Sequence, residues 1–161
     1  MTITQQIVIQ KNQEQVWQAW MEADRLVKWF SPEAEIEATI GGKFELYFDP
    51  TNKNSMSTKG CQIVHFEPFK SFTFQWKGPD PFAEVMNQDG HLTEVNVTLQ
   101  PVTNGTNVIV IHAGWHNPDS TETQRAIEWH KEAWANMLAS LKCYLQPENS
   151  KPPSEASTGC C

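Results

Sequence analysis

The sequence predicts an α+β fold. It should have a curved antiparallel sheet of about six to seven strands wrapped around one long C-terminal helix, with two short helices after the first strand. Three observations carry this. Segments that alternate apolar and polar residues follow one another through tight Gly, Pro and Asn turns, the pattern of antiparallel hairpins. Near the C-terminus the apolar period changes from two to three and four, which is a helix stripe. Between them, "NQEQVWQAWMEADRLVKWFSPE" (Asn12–Glu33) concentrates Trp17, Trp20, Trp29 and Phe30 on two short helical stretches.

Taken in order, "TITQQIVIQ" alternates β-branched residues and reads as the first strand, with Asn12 as the N-cap of the helix that follows. Val16, Trp17 and Trp20 give that helix one apolar stripe. A second helix, about Ala23 to Phe30, stops at Ser31-Pro32, because the residue before proline is pushed out of the α region. Glu33–Thr39 is a weak strand. After the Gly41-Gly42 turn, "KFELYFD" alternates cleanly. "CQIVHFEP" and "SFTFQW" form a hairpin through Pro68–Ser71, and "GPDPFAEVMNQDGH" reads as a long connection. "LTEVNVTLQP" and "TNVIVIHAGW" are two further strands joined at Thr103-Asn104-Gly105. From Asp119-Ser120 to about Tyr144, Ile127, His130, Trp134, Met137, Leu138 and Leu141 share a face of one helix of roughly six to seven turns. Residues 1–145 thus read as one domain, and 146–161, rich in Pro, Ser and Glu, as a disordered tail.

A formal charge of −7 argues against nucleic acid and anionic membranes, which require a basic face. No window of 18 apolar residues reads as a membrane span, and no leader segment is visible, so a cytoplasmic protein is expected. The four cysteines have neither zinc nor disulfide-framework spacing. Cys61 and Cys143 read as small buried residues, and Cys160-Cys161 as an exposed pair in the tail.

The order of elements, and the words that carry it, resemble the START-like (SRPBCC, helix-grip) superfamily. Within it, the chain resembles the group named after the activator of heat-shock-protein-90 ATPase homologues. The words are "NQEQVWQAWMEADRLVKWFSP", "GGKFELYF", "VHFEPFKSFTFQW", "TNGTNVIVIHAGW" and "WHKEAWANMLASLKCYL", in that order over Thr2–Leu145. His65 stands where such proteins often carry an acidic residue, so no role of that carboxylate is carried over. The resemblance implies a helix-grip fold with a ligand cavity between sheet and helix.

Alternation and helical spacing propose the lining of such a cavity. From the strands come Phe44, Leu46 and Phe48, then Ile63 and His65, then Phe74 and Trp76, and Val95, Val97, Val110 and His112. From the helix come Trp129, Trp134, Met137, Leu138 and Leu141, while Trp29 and Phe30 would stand at one mouth. Trp17 and Trp20 would pack the first helix against the sheet. No catalytic residue, metal ligand set or cofactor is assigned. The His112-x3-His116 spacing straddles a glycine and has no third ligand in view. The first expectation is therefore a binding module for a small hydrophobic or amphipathic molecule. A cyclase- or dehydratase-like enzyme, with His112 and Glu94 as an acid/base pair, is the alternative. A chaperone ATPase regulator is implied by the family name alone; the additional amino-terminal domain of the eponymous activators is not seen in the sequence. Asn107, Ile109 and Ile111 alternate on the outer face of the last strand and suggest a homodimer.

Overall fold

The computed structural model describes residues 1–147. The expected tail, with Cys160 and Cys161, lies outside them apart from its first two residues.

β1 (Ile3–Ile9) leads through Asn12 into α1 (Gln13–Met21). The Gln15 backbone N–H donates to Asn12 Oδ1 at 2.8 Å and the Asn12 N–H donates to Gln15 Oε1 at 3.3 Å, a reciprocal capping box that fixes where the helix begins. α2 is shorter than its sequence pattern: four residues (Ala23–Leu26) are helical, and single turns continue to Phe30. β2 (Glu33–Ile36) and β3 (Phe44–Tyr47) follow, then β4 (Ile63–Glu67) and β5 (Ser71–Trp76). The connection read as a loop contains a 3-10 turn (Asp80–Phe82) and α3 (Ala83–Met86). Asn87 closes it as a clip, accepting from Gly78 N–H at 2.8 Å and donating to the Gly78 carbonyl at 3.0 Å. β6 (Thr93–Val102), β7 (Gly105–Ala113) and α4 (Thr121–Leu145, capped by Ser120) complete the chain.

Among the described residues seven strands form two sheets: a five-stranded antiparallel sheet in the order β1-β7-β6-β5-β4, and the β2-β3 ribbon. The ribbon is joined to β4 by a bridge between Lys43 and Gln62 and by the Gly41-Gly42 turn. Gly42 is required there, since a Cβ would lie 2.2 Å from the Glu37 carbonyl oxygen.

The concave face carries the core. Phe72, Phe74, Val95, Val97, Val108 and Val110 are fully buried, against Trp134, Leu138 and Leu141 of α4. The N-terminal aromatics fill the space between. Trp20 is perpendicular to Trp29 (centroids 4.7 Å) and packs on Phe72 and Phe30. Among the described residues its buried indole N–H has no hydrogen-bond partner. Phe44 stacks on Phe74 at 4.1 Å.

Strict alternation fails at two places. A bulge between Ile63 and His65 shifts the β4 register, so that Ile63 pairs with Phe74 but His65 with the outward Thr73. His65 is therefore exposed instead of sharing the inner face with Ile63, and Phe66 turns onto Trp17. In β3 all four residues are buried. Glu45, on the ribbon's other face, accepts from the Tyr47 hydroxyl at 2.6 Å and from Gly60 N–H at 2.8 Å under the 49–60 loop. Cys61 is buried, as expected, whereas Cys143 is only half-buried on α4.

Candidate functional site: a hollow at one end of the sheet–helix interface

The packing that fills the concavity thins out where β5 ends and the middle of α4 passes over it. A hollow of about 270 Å³ opens there, lined by Phe48, Met56, Ser57, Trp76, Lys77, Gly78, Pro79, Trp129 and Met137. A smaller one of about 60 Å³ adjoins it, sharing Phe48, Trp76, Trp129 and Met137 and adding Phe30, His130, Ala133 and Trp134. Three elements hold these walls apart. β5 ends at Trp76, α4 presents Trp129, Ala133 and Met137, and the 49–60 loop is tied to the 3-10 turn by Asp80. The Asp80 carboxylate accepts from the Ser55 hydroxyl and, at 3.1 Å, from the Met56 N–H. Those bonds hold its pKa below the usual carboxylate value.

Two buried histidines lie behind this aromatic floor. Trp134 Nε1 donates to His112 Nδ1 at 3.0 Å, so His112 carries its proton on Nε2, 2.8 Å from the Thr93 hydroxyl. Trp76 Nε1 donates to His130 Nε2 at 3.1 Å, leaving the His130 proton on Nδ1, which donates to the Ala126 carbonyl at 2.7 Å. The two imidazoles face each other in perpendicular array, 5.3 Å between centroids. Burial, with His130 close by, drives the His112 pKa well below 6.5, and burial alone brings His130 down to about 4. Both rings are neutral and all four ring nitrogens are occupied. What they do is orient the indoles of Trp76 and Trp134, whose faces then form the hollow's floor.

The proposed lining residues divide accordingly. Phe30, Phe48, Trp76, Trp129, Trp134 and Met137 border the hollows. Trp129 does so from the rim, 47% exposed and packed on Phe82. Phe44, Leu46, Ile63, Phe74, Val95, Val97, Val110, Leu138 and Leu141 are packed into the core and border neither. Trp29, expected at the mouth, is buried, with its indole N–H on the Ala19 carbonyl at 3.0 Å. His112 is one layer behind the floor. His65 faces solvent, as the bulge requires.

Glu94 does not meet His112. It pairs with Ala113 on the outer face of β6, whereas His112 stands opposite Val95 on the inner face. The acid/base pair considered from the sequence is thus divided by the sheet. Ile109 and Ile111 are half-buried on that outer face, in register with Gln6 and Thr4 of β1 and with Thr98 and Asn96 of β6.

Several lining residues escaped the sequence reading. Met56, Ser57, Lys77, Gly78 and Pro79 lie in segments without periodicity and carry no signal of their own. His130 did carry one: a histidine on the apolar stripe of a helix must be buried, and a buried imidazole needs partners. The Cys61 thiol, pushed up to about 12 by burial, is not a nucleophile.

The sequence matches, over residues 11–146, the family described as Activator of Hsp90 ATPase homolog 1-like protein, and the chain belongs to that family. No curated protein is matched by the sequence. Among solved structures, protein MLL2253 from Mesorhizobium loti superposes with a TM-score of 0.72 at 19% identity, covering 92% of this chain and 99% of that one. The Aha1 dimer from Colwellia psychrerythraea gives 0.66 at 23% identity, with 92% and 98% covered. PFC0360w, an HSP90 activator from Plasmodium falciparum, gives 0.63 at 20% identity, with 83% and 87% covered. At these identities the likeness establishes the helix-grip fold. Among the described residues, no helix is long and apolar enough to cross a membrane.

Proposed function

We propose that the protein is a cytoplasmic binding module for a small apolar or amphipathic molecule, held between the end of β5 and the middle of α4. The observation that carries this is the hollow of about 270 Å³ walled by Phe48, Trp76, Trp129, Met56 and Met137. Aromatic faces and flexible thioethers adapt to apolar ligands of varied outline, and Lys77 and Ser57 at the edge offer donors to a polar end. A binding role is favoured over catalysis because His112 and His130 spend every ring nitrogen on Thr93, Trp134, Trp76 and Ala126. Among the described residues, none that lines these hollows is a carboxylate.

The test is native mass spectrometry of gently purified protein, compared with its denatured mass. A stoichiometric excess mass that disappears on denaturation is expected, and extraction then identifies the ligand. Ala133→Trp, which adds an indole to the smaller hollow from a half-buried helix position, should abolish the excess and leave the fold intact. A clean apo mass together with no uptake of fluorescent apolar probes would sink the reading.

A second reading, contact with Hsp90, is favoured by membership of the family and by the likeness to the Plasmodium protein, an HSP90 activator. Failure of the host's Hsp90 to be retained on the immobilised protein would remove it.

A further inference from the structure

A third hollow, of about 410 Å³, lies on the other side of the 3-10 turn and α3, bordered by Glu84, Gln88, His91, His116, Asn117 and Ser120. It shares no residue with the apolar hollows. At its wall two exposed histidines from distant parts of the chain meet. His91 precedes β6, His116 follows β7, and His91 Nδ1 stands 3.3 Å from His116 Nε2 with the rings nearly perpendicular (79°).

That separation has two chemical readings at once. It is the length of a weak hydrogen bond between imidazoles. It is also the edge of a tetrahedron about a metal ion: metal–nitrogen bonds of about 2.0–2.1 Å at the tetrahedral angle place two ligand nitrogens about 3.3–3.4 Å apart. Conversion from one to the other turns the two exposed rings until both facing nitrogens point at one site off the line between them. The proton now shared between the rings shifts to the remote nitrogen of the same imidazole, leaving both facing nitrogens with lone pairs. No bond is broken beyond that N–H, and no net proton is lost.

Local structure holds both backbones in place. The His116 carbonyl accepts from the Thr123 hydroxyl at 3.0 Å, tying the residue to the first turn of α4. The His91 N–H closes a turn on the Gln88 carbonyl at 3.0 Å. We infer that His91 and His116 form an open, two-histidine site for Zn²⁺, which favours imidazole nitrogen and whose tetrahedral ligand spacing matches theirs. Among the described residues no group of three His, Cys, Asp or Glu side chains is gathered for a metal. The remaining coordination positions therefore face the hollow and are filled by water, or by an anionic ligand that the metal recruits. Such a site selects for oxygen-donor molecules, the opposite chemistry from the apolar hollow.

The test is calorimetric titration of the full-length protein with Zn²⁺. Because cysteines can bind zinc themselves, the same titration of a His91→Gln/His116→Gln double variant measures any zinc taken up elsewhere. Saturable binding of one ion per chain in the micromolar range is expected, weakened at least tenfold by either His91→Gln or His116→Gln. Both side chains are exposed, so neither substitution should alter the metal-free melting temperature. Absence of saturable binding, or binding that both substitutions leave intact, overturns the inference. Neither outcome bears on the native-mass experiment.

Discussion

The two ends of the sheet–helix interface use the same residue types to opposite effect. At the closed end, Trp17, Trp20, Phe44, Phe72 and Phe74 interlock with ring centroids between 4.1 and 5.8 Å apart. At the open end, Phe48, Trp76, Trp129 and Met137 surround about 270 Å³ that none of them fills. The difference lies in how the rings are anchored. α1 lies directly over the closed end, whereas the indoles of Trp76 and Trp134 at the other end are held back by hydrogen bonds to His130 and His112. An aromatic tethered at its edge cannot collapse into the neighbouring space. Apolar surface then remains available to a ligand at an energy cost distributed over a polar network.

The largest expected effect strikes the closed end. Trp20→Ala removes a fully buried indole from contact with Trp29, Phe30 and Phe72, with no mobile neighbour to refill the space. A loss of about 3–5 kcal/mol is expected, read as a drop in the urea midpoint at constant slope. A loss below about 1 kcal/mol would mean that this end is no better packed than the other.

Next in size is the response of the open end to acid. His130 has a folded pKa near 4 against about 6.5 when unfolded, and the His112 value is also lowered. The folded state thus binds fewer protons than the unfolded state below pH 6.5. The stability of the neutral network is complete above that pH and is lost as pH falls towards 4. His130 alone should contribute a loss of about 3 kcal/mol across that window, at about 1.4 kcal/mol per unit. Among the described residues no carboxylate contacts the pair to offset it: the groups around it are Thr93, Trp76, Trp115, Trp129, Trp134, Phe82 and the Ala126 carbonyl. Melting temperatures measured from pH 7.5 to 4.5 should fall more steeply for the wild type than for a His112→Gln/His130→Gln double variant. Parallel curves would show that the histidines do not hold this end.

How much of this was legible in the sequence follows the same division. The closed end was readable because period-two and period-three/four patterns assign faces by geometry alone. Trp17, Trp20, Phe72 and Phe74 lie where that geometry puts them. The open end was readable only in its aromatic walls. His65 was misplaced because a single inserted residue, Val64, reverses the side-chain phase of β4, and no local composition marks it. The pairing of Trp76 with His130 joins residues 54 positions apart and follows from the crossing of α4 over β5, not from any spacing. The other half of the wall, Met56 to Ser57 and Lys77 to Pro79, comes from two loops clasped by Asp80 and Asn87, where hydrogen bonds and not periodicity decide the structure.

The smallest expected effect on stability is also the sharpest division between the two ends. Trp129 is 47% exposed and donates no hydrogen bond among those described, resting on Phe82 and the edge of His130. Its removal leaves both histidine–tryptophan pairs in place and opens no interior space. Trp129→Ala should therefore change the urea midpoint by no more than about 0.5 kcal/mol, the range of surface substitutions. Yet Trp129 walls both hollows at once. The same substitution should then reduce the excess mass expected in native spectra, and the affinity for an apolar probe, by tenfold or more. Equal and small losses of stability and binding would place the ligand elsewhere. A large loss of stability would mean that the rim is part of the core, and the contrast between the two ends would disappear.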